Sequence, residues 1–273
     1  MARMLMSSVV MAALFTAAPA PKAQPLTWKV TGTDVTFEMS SKDLRALRGG
    51  KEVFGLQSRK KEFLSSVTEG VDATQDTSDW EATQSFTVLS VVGPYVSSED
   101  SNAGYTGGAH PYASRIYATQ DVTKGKDGFN LLEVFPEKDV LKALKADGYV
   151  RKFIGDPKAF ESAKTVEALL QTLEADEDCV GFEYGLDNVK RSVAFHHVEG
   201  DKVAVRISFG YAAEMCRGNM YVVGLLLPIP ASLKPALERA NTRQEGFLMK
   251  DAKAVKAPSV SFKWEGAEAK KKP

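Results

Sequence analysis

Lys202 to Tyr211 (KVAVRISFGY) put Val203, Val205, Ile207, Phe209 and Tyr211 at every second position. Strict alternation of this kind belongs to a strand with one buried face and one wet face. Glu199-Gly200-Asp201 is turn chemistry, and Ser192 to Val198 lies on its far side, so the segment predicts an antiparallel hairpin. A half-buried hairpin must find another layer to cover it. Further strand signals run from Trp80 to Val92, are interrupted by Gly93-Pro94, resume from Tyr95 to Ser98, and return from Tyr112 to Gln120. Tyr221 to Leu227 is apolar throughout, which predicts a central strand, and Pro228 and Pro230 end it. Val260 to Trp264 is the last candidate strand.

Between these strands the periodicity changes. Ser40-Ser41 followed by KDLRALRGG predicts a short capped helix stopped by Gly49-Gly50, and Gln57 to Val67 a second one. Pro136 stands ahead of EKDVLKALKA, with Val140, Leu141 and Leu144 on one face. Asp156-Pro157 caps a long helix carrying Phe160, Ala163, Val166, Leu170 and Leu173 at three- and four-residue steps. The expected class is α+β: an antiparallel sheet with two to four packed helices and a hairpin-rich C-terminal half. We divide the chain into an N-terminal leader (1–23), the first part of an exported domain (24–79), a core (80–240) and an extension with a basic tail (241–273).

The leader rests on one cation, Arg3, ahead of an uncharged run from Met4 to Ala20, then small residues and prolines. This predicts a signal peptide cut after Ala23, with an uncleaved membrane anchor as the alternative. No cysteine follows the run, so no lipid anchor is expected and the product should be soluble, exported to a periplasm or secreted. Removing Arg3 and Lys22 leaves 33 basic residues against 35 acidic ones. That balance gives no footprint for nucleic acid and no general pull toward anionic lipid. Cys179 and Cys216 form an even count in an oxidising compartment, which favours one disulfide over two free thiols. The loop of about 38 residues would be stabilised by roughly 4 kcal/mol.

Little in the sequence carries catalytic chemistry. His-x-x-x-His, HExxH, GxSxG and P-loop patterns are absent, and two cysteines with three histidines have no zinc-finger spacing, so neither metal nor cofactor is expected. His196 and His197 are adjacent on a strand and should point to opposite faces, barring a bulge. His110 sits in Tyr105-Thr106-Gly107-Gly108-Ala109-His110-Pro111, a stretch built for tight turning. It reads first as a structural loop residue, then as a ligand contact, and last as a catalytic base paired with a carboxylate such as Glu183 or Glu214 in a cell-wall hydrolase or deacetylase-like enzyme. Glu174, Asp176, Glu177 and Asp178 crowd the end of the long helix, where carboxylates oppose the macrodipole. They read as a polar link or as a docking patch for a basic partner.

These pieces occur in a familiar order: the strand VLSVVGPYVSS, the YTGGAHP turn, Asp121 to Lys126 as Asp-x-x-x-Gly-Lys, and Leu131 to Phe135 as Leu-x-x-Val-Phe. Tyr211 to Ala213, a Cys-Arg-Gly and an apolar strand ending in LPIPASLKP follow. The chain resembles the extracellular domain family of unknown function found in lysozyme-sensing anti-sigma-V-type receptors and beside peptidoglycan deacetylase domains, over roughly Trp80 to Leu237. The resemblance implies an α+β recognition module outside the cell, in which YTGGAHP fixes a turn between sheet strands. It departs from the receptors in having no internal transmembrane helix, and from the deacetylases in having no catalytic domain. The expectation is a non-enzymatic module that binds a muramidase of the lysozyme type or peptidoglycan. Tyr105, Gly107, Gly108 and His110, with Glu174, Asp176, Glu177 and Asp178, are the candidate contacts.

Overall fold

The computed structural model describes residues 26–72, 74–124, 128–174, 185–210 and 216–267. The expected leader, residues 1–23, and the basic tail at Lys270 to Lys272 lie outside the described residues. Four short strands, β1 (Leu26–Lys29), β2 (Val35–Met39), β3 (Leu44–Arg48) and β4 (Lys51–Gly55), form an antiparallel meander. Here the sequence expectation fails, because KDLRALRGG is strand and not helix. Leu44 and Ala46 are fully buried while Arg45 points to solvent, a period of two. Gly49 and Gly50 hold φ of 55° and 80°, the two-residue hairpin turn that pairs Arg48 with Lys51. Ser40 does not cap a helix; its Oγ accepts the Asp43 N–H at 3.1 Å within a turn.

Helix α1 (Arg59–Thr68) leads to a second sheet of β5 (Glu81–Val92), β6 (Tyr95–Tyr105), β7 (Tyr112–Asp121) and the C-terminal β11 (Ser259–Glu265). Its order is β11-β5-β6-β7, all antiparallel. Phe37 and Phe54 of the first sheet, Leu56 just after it, Phe63 of α1, and Phe86, Phe247 and Phe262 share one buried cluster that binds the two sheets and the helix together. The N- and C-terminal parts of the chain therefore close one core. Burial of each such side chain is worth roughly 1.5–3 kcal/mol.

The third sheet has the order β10-β9-β8, from β8 (Val193–Glu199), β9 (Lys202–Phe209) and β10 (Tyr221–Pro228). The hairpin read from KVAVRISFGY is β8–β9, closed by Gly200 at φ 60°. β10, expected in the middle, is an edge strand. Val223, Leu225 and Leu227 are buried, but Gly224, Leu226 and Pro228 are exposed, so its apolar run serves only one face. Helices cover that face: α2 (Leu131–Val134), α3 (Glu137–Ala146), α4 (Pro157–Ser162), α5 (Val166–Leu170), α6 (Leu186–Arg191) and α7 (Lys234–Asn241). The fold is thus α+β, with three antiparallel sheets among the described residues.

The long helix expected after Asp156-Pro157 is broken in two. Asp156 caps α4 as anticipated, accepting from the Lys158 and Ala159 N–H groups. Ala163 then turns extended, Thr165 caps α5 through the Ala168 N–H, and Lys145 Nζ donates to the freed carbonyls of Glu161 and Ala163. Leu173 ends in a bridge with Ile154. Polar groups join the second and third sheets: Ser208 Oγ accepts the Tyr117 N–H at 2.7 Å, and Thr119 Oγ1 donates to the Val193 carbonyl.

Candidate functional site

The YTGGAHP stretch closes the β6–β7 hairpin, as anticipated for a turn between sheet strands. Gly104 pairs with Tyr112 across that hairpin, and the Tyr112 ring folds back over it; a methyl on Gly104 would sit 2.8 Å from Tyr112 Oη. Gly107 has φ of 81°, a backbone form that favours glycine. Its bare Cα face receives the indole of Trp80: a methyl there would lie 2.7 Å from Trp80 Cε2 and closer still to Cζ2. Trp80 is held from behind as well, its N–H donating to Thr77 O at 2.8 Å and its carbonyl accepting from Gly266 N at 2.9 Å. The two glycines of the motif therefore differ. Gly107 seats an aromatic ring, whereas Gly108 only turns the chain.

In front of Trp80 and Tyr112 lies an open cleft of about 430 Å³, within the usual range for a small-molecule site. Val67 at the end of α1, and Glu69 and Gln75 of the segment after it, line the same cleft. Gln84 of β5 and Asn102 of β6, register partners, line it as well. Among the described residues nothing hydrogen-bonds the side-chain amides of Gln75, Gln84 or Asn102. The Tyr112 phenol, pushed further up by partial burial, is protonated at neutral pH as any tyrosine is and can donate. The rings of Trp80, Tyr112 and Phe63, three carboxamides and the Glu69 carboxylate line the cleft.

The anticipated contacts do not all converge here. Tyr105 is half-buried at the end of β6, paired in register with Glu81; Gly108 and His110 are exposed on the turn. No hydrogen bond or ion pair engages the His110 ring among the described residues, and Glu183 and Glu214 lie outside them. Two distant pieces do meet at the motif. Arg217 donates to the Pro111 carbonyl, and Gly218 N donates to Ala113 O at 3.1 Å, so the Cys-Arg-Gly segment braces the hairpin.

Glu174 is exposed, and its N–H donates to Phe153 O at 2.8 Å. It therefore leaves a bridge and not a helix end, which removes the macrodipole argument for the acidic run; Asp176, Glu177 and Asp178 lie outside the described residues. Cys216 is described and not free, while Cys179 is outside.

His196 and His197 depart from strand geometry. A bulge between Phe195 and His197 brings their Nδ1 atoms to 2.7 Å. Among the described residues no cluster of three or more His, Cys, Asp or Glu side chains is placed to hold a metal.

Trp80, Tyr112, Gln75, Gln84 and Asn102 escaped the sequence reading. One signal was available: residues 62–114 contain eight carboxylates and no lysine or arginine, although Glu81, Glu99 and Asp100 meet Lys263, Arg115 and Arg59 from outside that stretch. No family model, no curated protein and no solved structure matches the chain. Among the described residues no helix is long and apolar enough to cross a membrane.

Proposed function

We propose that the protein is an exported, non-enzymatic recognition module of the cell envelope, of the kind its sequence resemblance implies, and that the Trp80–Tyr112 cleft binds the glycan strand of peptidoglycan. The cleft's chemistry carries this reading. Aromatic faces accept the apolar C–H face of a pyranose ring, and unengaged carboxamides supply the paired donors and acceptors that sugar substituents need. The braced hairpin keeps both rings in place before ligand arrives, which lowers the ordering cost of binding. A Cys179–Cys216 disulfide belongs to the same proposal, because it would anchor the Cys-Arg-Gly brace. Cosedimentation of the exported chain with purified sacculi tests the reading. The wild type should pellet and Trp80→Ala should not, since loss of an aromatic anchor costs about 2 kcal/mol or more. Equal pelleting of both proteins would count against the cleft.

A muramidase of the lysozyme type is the second reading, favoured by Glu69, Asp72, Asp76 and Asp79, exposed carboxylates that meet no cation among the described residues. A basic partner drawn to them would associate faster at low salt than at high salt. Surface plasmon resonance with a basic lysozyme separates the two readings. Salt-sensitive binding that survives Trp80→Ala supports the protein partner over the glycan.

A further inference from the structure

We propose that the cleft selects uncharged N-acetylated hexosamine units and rejects sugars that carry a carboxylate. This inference rests on the glycan-binding reading and specifies its ligand.

Two features of the lining carry it. The first is the set of carboxamides. An acetamido substituent presents one N–H donor and one C=O acceptor, and a primary carboxamide meets both. Gln84 and Asn102 stand opposite each other across β5 and β6, so their heads emerge roughly 5 Å apart at the root. One can accept the acetamido N–H while the other donates to its carbonyl. Gln75 faces the same space, and Phe63, Val67 and Val71 supply an apolar surface for the acetyl methyl. A sugar bearing only hydroxyls would leave that surface unfilled.

The second feature is charge. Lysine, arginine and histidine are all missing from the residues lining the cleft, and its one ionisable acid, Glu69, has no cationic partner among the described residues. Recognition of a sugar carboxylate ordinarily uses an arginine or lysine. Here a ligand carboxylate would enter beside the negative field of Glu69. Asp72 and Asp76, chain neighbours of the lining residues Val71 and Gln75, deepen that field. The Thr74 hydroxyl holds the Asp72 carboxyl below the usual range, and the Ser78 backbone N–H does the same for Asp76. Both stay ionised across the neutral range. Discrimination therefore combines a fitted acetamido group with repulsion of the wrong ligand.

Three tetrasaccharides separate these effects by calorimetric titration of the exported chain. Chitotetraose is neutral and acetylated, cellotetraose is neutral without acetamido groups, and a hyaluronan tetrasaccharide alternates acetylated units with uronates. Chitotetraose should bind tightest and cellotetraose about tenfold weaker. Hyaluronan should be about five- to tenfold weaker at low salt, the gap narrowing as salt rises. Glu69→Gln should strengthen hyaluronan binding by more than it alters chitotetraose binding, narrowing the low-salt gap between the two sugars at least twofold. Cellotetraose matching chitotetraose, or hyaluronan matching it at low salt, would overturn the selectivity. Failure of all three sugars to bind would instead remove the glycan reading beneath it.

Discussion

Gly107→Ala and Gly108→Ala differ by one position and should differ sharply in effect. At Gly107 the new methyl meets two penalties. The φ of 81° is unfavourable for an L residue by about 1–2 kcal/mol. The methyl also lands 2.7 Å from Trp80 Cε2, and relieving such overpacking typically costs about 1–3 kcal/mol. Reduced unfolded-state entropy returns up to about 1 kcal/mol, so the net loss is roughly 2–4 kcal/mol. For a chain of this length that lowers the melting temperature by roughly 5–15 °C. At Gly108 the nearest atom to the added methyl is 3.8 Å away, with no positive φ. The change there should stay within about 0.5 kcal/mol. Differential scanning calorimetry of both variants, followed by titration with chitotetraose, measures stability and site together. Gly107→Ala should also bind at least tenfold more weakly, because the indole has to move. Matching melting temperatures, or full binding by Gly107→Ala, would refute the claim that this glycine exists to seat Trp80.

Other outcomes follow from the same structure. Burial, then Arg206, His197 and Lys250, hold the His196 imidazole below its usual value, so its stabilisation is present above about pH 6.5 and lost as pH falls through the folded-state pKa. Urea unfolding at pH 7.5 and 5.5 should show a smaller acid-side loss for His196→Asn than for wild type; equal losses would argue against that origin. Glu245 accepts from the Thr31 N–H at 3.0 Å and its hydroxyl at 2.5 Å, with Arg239 at 3.0 Å, fastening the first sheet to the end of α7. Glu245→Ala should cost about 1–3 kcal/mol in chemical unfolding, and a neutral result would show the latch to be idle. Non-reducing peptide mass spectrometry should recover a Cys179–Cys216 link, and free thiols at both positions would exclude it. His110→Ala should leave sugar binding within twofold of wild type, whereas abolished binding would return that histidine to the site.

The strands that alternate cleanly or sit between strong turn signals were legible in the sequence: β5, β7, β8, β9 and β11 lie where the pattern put them. The failures have physical causes. Residues 40–50 carry helix-forming Leu, Arg and Ala with a glycine pair that suits either a helix stop or a hairpin, and pairing with β2 decided for strand. The heptad-like spacing from Phe160 to Leu173 is real, but Thr165 offers a second cap and Lys145 satisfies the carbonyls at the break. β10 is apolar on both faces although only Val223, Leu225 and Leu227 are buried, so composition could not tell this edge strand from a central one. The motif itself drew attention to His110, while the backbone at Gly107 proved to matter through a ring 27 positions earlier. Cleft residues drawn from α1, three strands and the loops between them share no spacing along the chain, so no periodicity could gather them.

The most direct test of the glycan site is a nuclear magnetic resonance titration of the isotopically labelled chain with chitotetraose, read at the side chains. The Trp80 indole N–H and the side-chain amides of Gln75, Gln84 and Asn102 should shift together along one saturable curve. Gly108, His110 and the helices over the third sheet should remain still. Shifts centred on the turn or on those helices, or no shifts at millimolar sugar, would contradict it.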